Sequence, residues 1–222
     1  MTSLNSDDLV GEDLACRRGE RLVFTGLSCR LRAGGALLLT GPNGSGKSSL
    51  LRVLASLLMP AAGRLVWGGT AITEDPGHYR ARLHYVGHLD AIKSALTPRE
   101  TLNFAAELRG AAPRPGAIDE ALAAFALQRV ADWPCRWLSA GQRRRLALAR
   151  LIAASAAIWL LDEPTAGLDD DGEDRLVRLI EAHRAAGGRV AIATHQRIPL
   201  GAAETLALGD FAPVAATLPG GF

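Results

Sequence analysis

Gly41-Pro42-Asn43-Gly44-Ser45-Gly46-Lys47-Ser48 constrains this chain more than any other stretch. It satisfies the G-x-x-x-x-G-K-[ST] pattern and sits between an apolar, strand-like run (Ala36 to Thr40) and a helical pattern. Glycines in such a turn allow positive φ and bring backbone N–H groups close to an anion. The helix start adds unpaired donors and partial positive charge. Lys47 is then placed to reach the β- and γ-phosphates of a nucleotide, and the Ser48 hydroxyl to ligate Mg²⁺. Ser49 continues the site into the helix. A strand, a phosphate loop and a helix in that order demand an α/β core.

The rest of the chain fits such a core. Its 222 residues suffice for one large α/β domain, and 48% of them are apolar. Leu50, Leu51, Leu54 and Leu58 recur at helical spacing after the loop, with Met59-Pro60 as the stop. Short β-like pieces fill the first forty residues, and Gly63 to Gly69 reads as a short strand running into a turn. Ala157 to Leu161 and Arg189 to Thr194 read as buried strands flanking a helix from Arg175 to Ala186. Continuous apolar strands between helices indicate a parallel sheet covered on both faces. Residues from about Leu89 to Trp137 differ. Helical patterns over Pro98 to Arg109 and Ile118 to Val130 flank a Pro/Gly loop at Ala112 to Gly116, which reads as a helical insertion. The last twenty residues carry only a weak pattern.

Bulk properties exclude several classes. A net charge of +2 gives no general reason to expect nucleic-acid binding. Arg143-Arg144-Arg145 reads as a solvated helix face with local ion pairs. Cys16, Cys29 and Cys135 are widely spaced and form no C-x-x-C, so reduced thiols are expected. The uncharged run Leu151 to Leu161 falls short of the ~18 apolar residues of a membrane span. No signal-peptide pattern opens the chain.

Asp162-Glu163 closes the strand at Leu161. A carboxylate there, beside a phosphate loop, suits Asp162 to Mg²⁺ and Glu163 to accepting a proton from water. The same pair also reads as a solvated turn. Leu138-Ser139-Ala140-Gly141-Gln142 opens a further helix, as a second anion site or as a plain N-cap. His195, after a strand, reads from the residues alone as a structural histidine.

Taken in order, the phosphate loop, L-S-x-G-Q, the strand with D-E, Gly167-Leu168-Asp169 and His195 resemble the nucleotide-binding subunits of ABC (ATP-binding cassette) transporters, from about Leu14 to Gln196. The resemblance implies an α/β P-loop NTPase fold with a RecA-like core, an N-terminal antiparallel β-subdomain and an inserted helical subdomain. It implies one domain over 1–222, with its core at about 1–88 and 138–222 and its insertion at about 89–137. ATP and Mg²⁺ are the implied ligands. Ser139 and Gly141, with Gln142, would form the signature that contacts nucleotide bound by another subunit. Asp169 would lie at the dimer seam, and His195 would touch the γ-phosphate. A homodimer with two composite sites follows.

Three positions depart from the family pattern. His88 stands where the family places a glutamine, and remains a candidate contact to Mg²⁺ or its water. Arg18 falls where an aromatic residue stacks on adenine; a guanidinium plane can do the same. Ala140 replaces the first signature glycine. L-S-A-G-Q with Arg-Arg-Leu-Ala-Leu-Ala-Arg, and Gly87-His88 with Ala91-Ile92-Lys93-Ser94 and Leu96-Thr97, resemble the ATP-binding subunits of cytochrome c biogenesis. That subfamily implies a multispanning permease, a second, haem-handling membrane protein and, indirectly, a periplasmic haem chaperone as partners. The implied place is the cytoplasmic face of the bacterial inner membrane, as a peripheral subunit with no nucleic-acid partner. Leu89, Ala91, Ile92 and Leu96 are apolar candidates for the permease contact, or else core of the insertion. Alternatives are an ATPase subunit of another small-molecule exporter, or a soluble ABC ATPase of repair or translation. The long insertions or second cassette of the soluble class are not seen. A regulatory module without hydrolysis conflicts with the presence of both Glu163 and His195.

Overall fold

The computed structural model describes residues 8–110 and 114–213. Two sheets organise it. The N-terminal sheet is antiparallel, in the order β2-β1-β4-β5, from β1 (Leu9–Arg18), β2 (Arg21–Leu31), β4 (Ala62–Trp67) and β5 (Thr70–Ala71). The second sheet is parallel throughout, in the order β6-β7-β8-β3-β9. Its strands are β3 (Ala36–Thr40), β6 (Leu83–Val86), β7 (Ile158–Asp162), β8 (Arg189–Ala193) and β9 (Glu204–Ala207).

Helix α1 (Lys47–Leu54) lies in the core shared by the two sheets. Its Leu50, Leu51 and Leu54 are buried with Leu14, Phe24 and Leu27 of the antiparallel sheet and Leu160 and Ala191 of the parallel one. Each such leucine contributes about 1.5–3 kcal/mol by leaving water. A strand buried on both faces alternates between two cores. Ile158 and Leu160 of β7 face the α1 core. Trp159 and Leu161 face a second core with Leu102, Leu122, Phe125, Leu146, Leu176 and Ile180. That second core joins α3 (Pro98–Glu107), α4 (Ala117–Ala124), α5 (Ala140–Ala153) and α6 (Asp170–Ala185). The short helix α2 (Pro76–Ala81) precedes β6.

Several boundaries differ from those expected. Helix α1 stops at Leu54, because Ser56 turns into the left-handed region at φ 56°. Leu57 and Met59 then face solvent. Helix α4 ends at Ala124, and a 3₁₀ turn, Gln128–Val130, completes that segment. Helix α6 begins five residues earlier than its apolar pattern suggests. The Asp169 side chain caps it by accepting from Gly172 N, and Asp170, Asp171 and Glu173 suit the positive end of its dipole. The N-terminal strands are longer than the short pieces anticipated. Charged residues and register shifts interrupt their alternation. In the expected Pro/Gly loop, Ala112 and Pro113 lie outside the described residues, as do the chain ends at 1–7 and 214–222. Among the described residues no helix is long and apolar enough to cross a membrane.

Candidate functional site

The phosphate-loop sequence joins β3 to α1. Gly46, at the helix N-cap, has φ 106°, and a Cβ there would fall 2.7 Å from Val23 Cγ1 and 3.0 Å from Phe24 Cδ1. Both the conformation and the close approach require glycine. No side chain caps the helix, so its first-turn N–H groups stay available to an anion. Lys47 is buried. Its ammonium donates to Gly41 O at 2.7 Å and Pro42 O at 3.2 Å, folding the side chain back along the loop. Ser45 Oγ is buried and has no partner among the described residues.

Strand β7 brings its last residue beneath this loop. Ser48 Oγ donates to Asp162 Oδ1 at 2.9 Å, joining positions 114 residues apart. Asp162 is 2% exposed. Burial raises its pKa above the ordinary carboxylate value, and the neighbouring Glu163 charge adds to this; the Ser48 hydrogen bond opposes it. Glu163 has φ 47°, a conformation unusual for a residue with a long side chain. Its backbone N–H donates to Ala193 O at 2.8 Å, which fixes it against β8. Its carboxylate meets His195 Nδ1 at 2.9 Å. An ionised carboxylate only accepts, so the proton of this bond resides on Nδ1. Thr165 Oγ1 donates to Gln196 Oε1 at 2.9 Å and braces the same corner.

Part of this set lines one cleft of about 530 Å³; Gly41, Pro42, Ser45 and Asp162 lie outside its lining. Asn43, Gly44 and Gly46 to Ser49 of the loop open into it, with Arg18, His88, Glu163 and His195. Arg18 and His88, the two departures from the family pattern, thus share the cleft with the phosphate loop. His195 is exposed at its mouth, unlike the structural histidine that the residues alone suggested. Arg21, Val23 and Ala166 also line the cleft and were missed. Arg21 pairs with Arg18 across the β1–β2 turn, and that pairing was the signal available.

The residues fit a magnesium nucleotide. Uncapped N–H groups, a buried ammonium and an unpartnered hydroxyl suit phosphate. The Ser48 hydroxyl and the Asp162 carboxylate are hard oxygen donors of the kind Mg²⁺ takes when phosphates supply the remainder. Among the described residues no three His, Cys, Asp or Glu side chains gather as a self-contained metal cage.

Ser139, Gly141, Gln142 and Asp169 are absent from this cleft. They form a second patch at the N-termini of α5 and α6. Ser139 and Gln142 make a reciprocal capping box, with Gln142 N to Ser139 Oγ at 3.1 Å and Ser139 N to Gln142 Oε1 at 2.9 Å. A Cβ at Gly141 would sit 3.1 Å from Gly167 O, so the α5 start and the loop before α6 pack closely. Asp169 caps α6 and pairs with Arg145.

The arginine run is not the solvated face expected. Arg145 is largely covered and pairs with Asp169 and Asp171, and Arg143 donates to Leu138 O at 2.5 Å. Arg144 is buried, 4% exposed, and turns inward to backbone carbonyls. Helical spacing of the apolar residues marked this face as polar. Nothing in that pattern distinguishes a buried guanidinium from a solvated one.

The sequence and the fold both have known relatives. The ABC transporter family profile matches residues 24–166. The cytochrome c biogenesis ATP-binding export protein CcmA of Rhodospirillum rubrum is 61% identical over 203 residues, spanning 91% of this chain and 86% of that protein. The protein of the same name from Paramagnetospirillum magneticum is 54% identical over 210 residues, spanning 94% and 96%. Among solved structures, a putative ABC transporter ATP-binding protein from Pyrococcus furiosus superposes with a TM-score of 0.82 at 22% identity, covering 93% of this chain and all of that one. The chain therefore belongs to the ABC transporter family as a nucleotide-binding ATPase, of the type found in cytochrome c biogenesis.

Proposed function

We propose that this chain is the ATP-hydrolysing subunit of a membrane complex that serves cytochrome c biogenesis, powering haem export or release of a haem-loaded periplasmic chaperone. The observation that carries the catalytic half of this reading is the Glu163–His195 pair at 2.9 Å, set above a phosphate loop whose Ser48 bonds Asp162. The biological half rests on the high identity to proteins named as cytochrome c biogenesis ATP-binding export proteins.

In this reading Lys47 and the N–H groups of Gly41, Asn43, Gly44, Ser45, Gly46, Ser48 and Ser49 hold the phosphates, and Pro42, which has no N–H, shapes the loop between them. Glu163 accepts the proton of the attacking water at its carboxylate. His195 Nδ1–H orients that carboxylate, and the exposed ring meets the terminal phosphate at the mouth of the cleft. Arg18 stacks on the base. Ser48 and Asp162 would hold Mg²⁺, with His88 as a further contact; the ion, when bound, neutralises charge on the phosphate oxygens.

The signature patch lies on a different part of the chain from the cleft. A second copy, related by two-fold symmetry, is what completes each site with its Ser139, Gly141 and Gln142, and Asp169 lies at the seam. Residues 1–222 then act as one ABC ATPase domain, with core about 1–88 and 138–222 and helical insertion about 89–137. The partners are permease subunits and a haem-handling membrane protein, with the periplasmic haem chaperone reached through them. The site of action is the cytoplasmic face of the inner membrane. Leu89, 82% exposed just after His88, suits contact with the permease.

A strain lacking the gene tests this reading. Assembly of c-type cytochromes, read by haem staining, is expected to be lost and to return with the parent chain. It should not return with a chain carrying Glu163→Gln. Normal c-type cytochromes in the deleted strain would refute the biological assignment and leave the ATPase chemistry untouched.

A further inference from the structure

Arg144 is the most heavily bonded side chain near the cleft, and it touches no nucleotide-facing group of the phosphate loop. It projects from α5 one turn beyond the signature residues. Its Nη2 donates to Asp162 O at 2.9 Å and Glu163 O at 2.6 Å, and its Nε donates to Pro164 O at 3.3 Å. Its Nη1 donates to Gly87 O at 3.0 Å and to Asp90 Oδ1 at 3.2 Å. A guanidinium has five N–H donors in a planar fork, and five partners are present.

Three consecutive carbonyls, at 162, 163 and 164, converge on this one group. The residue at their centre is Glu163, held at φ 47°. A non-glycine residue stays in the left-handed region only where its surroundings over-determine it. Here its N–H is fixed by Ala193 O, and its C=O accepts from Arg144 at 2.6 Å and from the Ala166 N–H at 3.1 Å. The direction of the Glu163 carboxylate, and its meeting with His195, follow from that backbone setting. The same guanidinium holds the segment that carries His88 and leads into exposed Leu89.

We propose that Arg144 is a positioning residue for hydrolysis: it fixes the backbone of Glu163 and ties it to the 87–90 segment and to the signature helix. Movement of that segment, or of α5, then reaches the carboxylate through one rigid group. The assignment rests on the reading of Glu163 as the general base.

The test compares steady-state ATP hydrolysis by the full chain and by Arg144→Met, Arg144→Lys, Arg150→Met and Glu163→Gln, with Tm recorded for each. Arg150 is the control. It is another α5 arginine bonded to the same segment, donating to Asp90 O at 2.5 Å and Ala91 O at 3.1 Å, but not to the 162–164 carbonyls. Arg144→Met is expected to lower kcat by about 30- to 100-fold with KM for ATP within about threefold, as for a misplaced catalytic group. Arg144→Lys is expected to recover part of that loss, since an ammonium cannot span both sets of partners. Arg150→Met should keep kcat within about threefold even where its Tm falls as far. A parental kcat in Arg144→Met overturns the assignment, as does an equal kcat loss in Arg150→Met. Should Arg144→Met not fold, Arg144→Lys decides: lowered kcat at unchanged KM supports the assignment, and parental kcat overturns it. Retained turnover in Glu163→Gln removes the general base itself, and the assignment with it. Loss in Glu163→Gln without loss at Arg144 removes the positioning role alone.

Discussion

Glu163→Gln is expected to lower ATP turnover by about two to four powers of ten while leaving ATP affinity close to that of the parent. The amide keeps the size of the side chain and can still face His195 Nδ1, now 2.9 Å from the carboxylate. It cannot take up the proton of the attacking water. In the proposed reading, nucleotide binding depends instead on the loop at residues 41–49 and on Arg18, none of which the substitution replaces. Steady-state phosphate release, paired with a nucleotide-binding titration, separates the two effects. Unchanged turnover would take Glu163 out of the base role.

Lys47→Ala is expected to act on the other term. Its ammonium is the buried cation of the phosphate loop, now bonded to Gly41 O and Pro42 O. Each charge-assisted hydrogen bond it makes to a phosphate is worth about 1.5–3 kcal/mol, so losing one weakens ATP binding about 10- to 150-fold. The Gly41 and Pro42 carbonyls also lose their donor, which loosens the loop around the nucleotide. Fluorescent ATP titration measures this directly. Full affinity in the variant would refute the phosphate role of Lys47.

Much of this was readable in the residues because the chemistry depends on local order. The phosphate loop between Ala36–Thr40 and the following helix needs only neighbouring residues, and β7 with Asp162-Glu163 needs only an apolar run ended by acids. Those features transferred to the fold with little change. Contacts between distant positions were less accessible. The Ser48–Asp162 and Glu163–His195 bonds join residues far apart in sequence; a shared fitness for Mg²⁺ linked the first pair, and only the family resemblance brought His195 to the phosphate site. The edge strand β9 was invisible, because its four residues, two exposed and then two half-buried, carry no alternation. The α6 start was hidden because its first turn is acidic and capped instead of apolar. Arg144 shows the limit most clearly. A run of three arginines on an amphipathic helix reads as solvated surface, and only the tertiary placement of the 162–164 carbonyls turns one of them inward.

In the proposed reading each active site is shared between two copies of the chain. The direct measurement uses the Glu163→Gln chain with Asn43→Cys, from the cleft, and Ser139→Cys, from the signature patch. The native thiols Cys16 and Cys135 are buried, and Cys29 is half-buried with its pKa pushed up to about 11 by burial, which keeps background reaction low. On addition of MgATP a mild oxidant is expected to link the chain to a second copy through positions 43 and 139, giving a covalent dimer that is absent without nucleotide. A chain that stays unlinked at saturating MgATP would contradict the shared site.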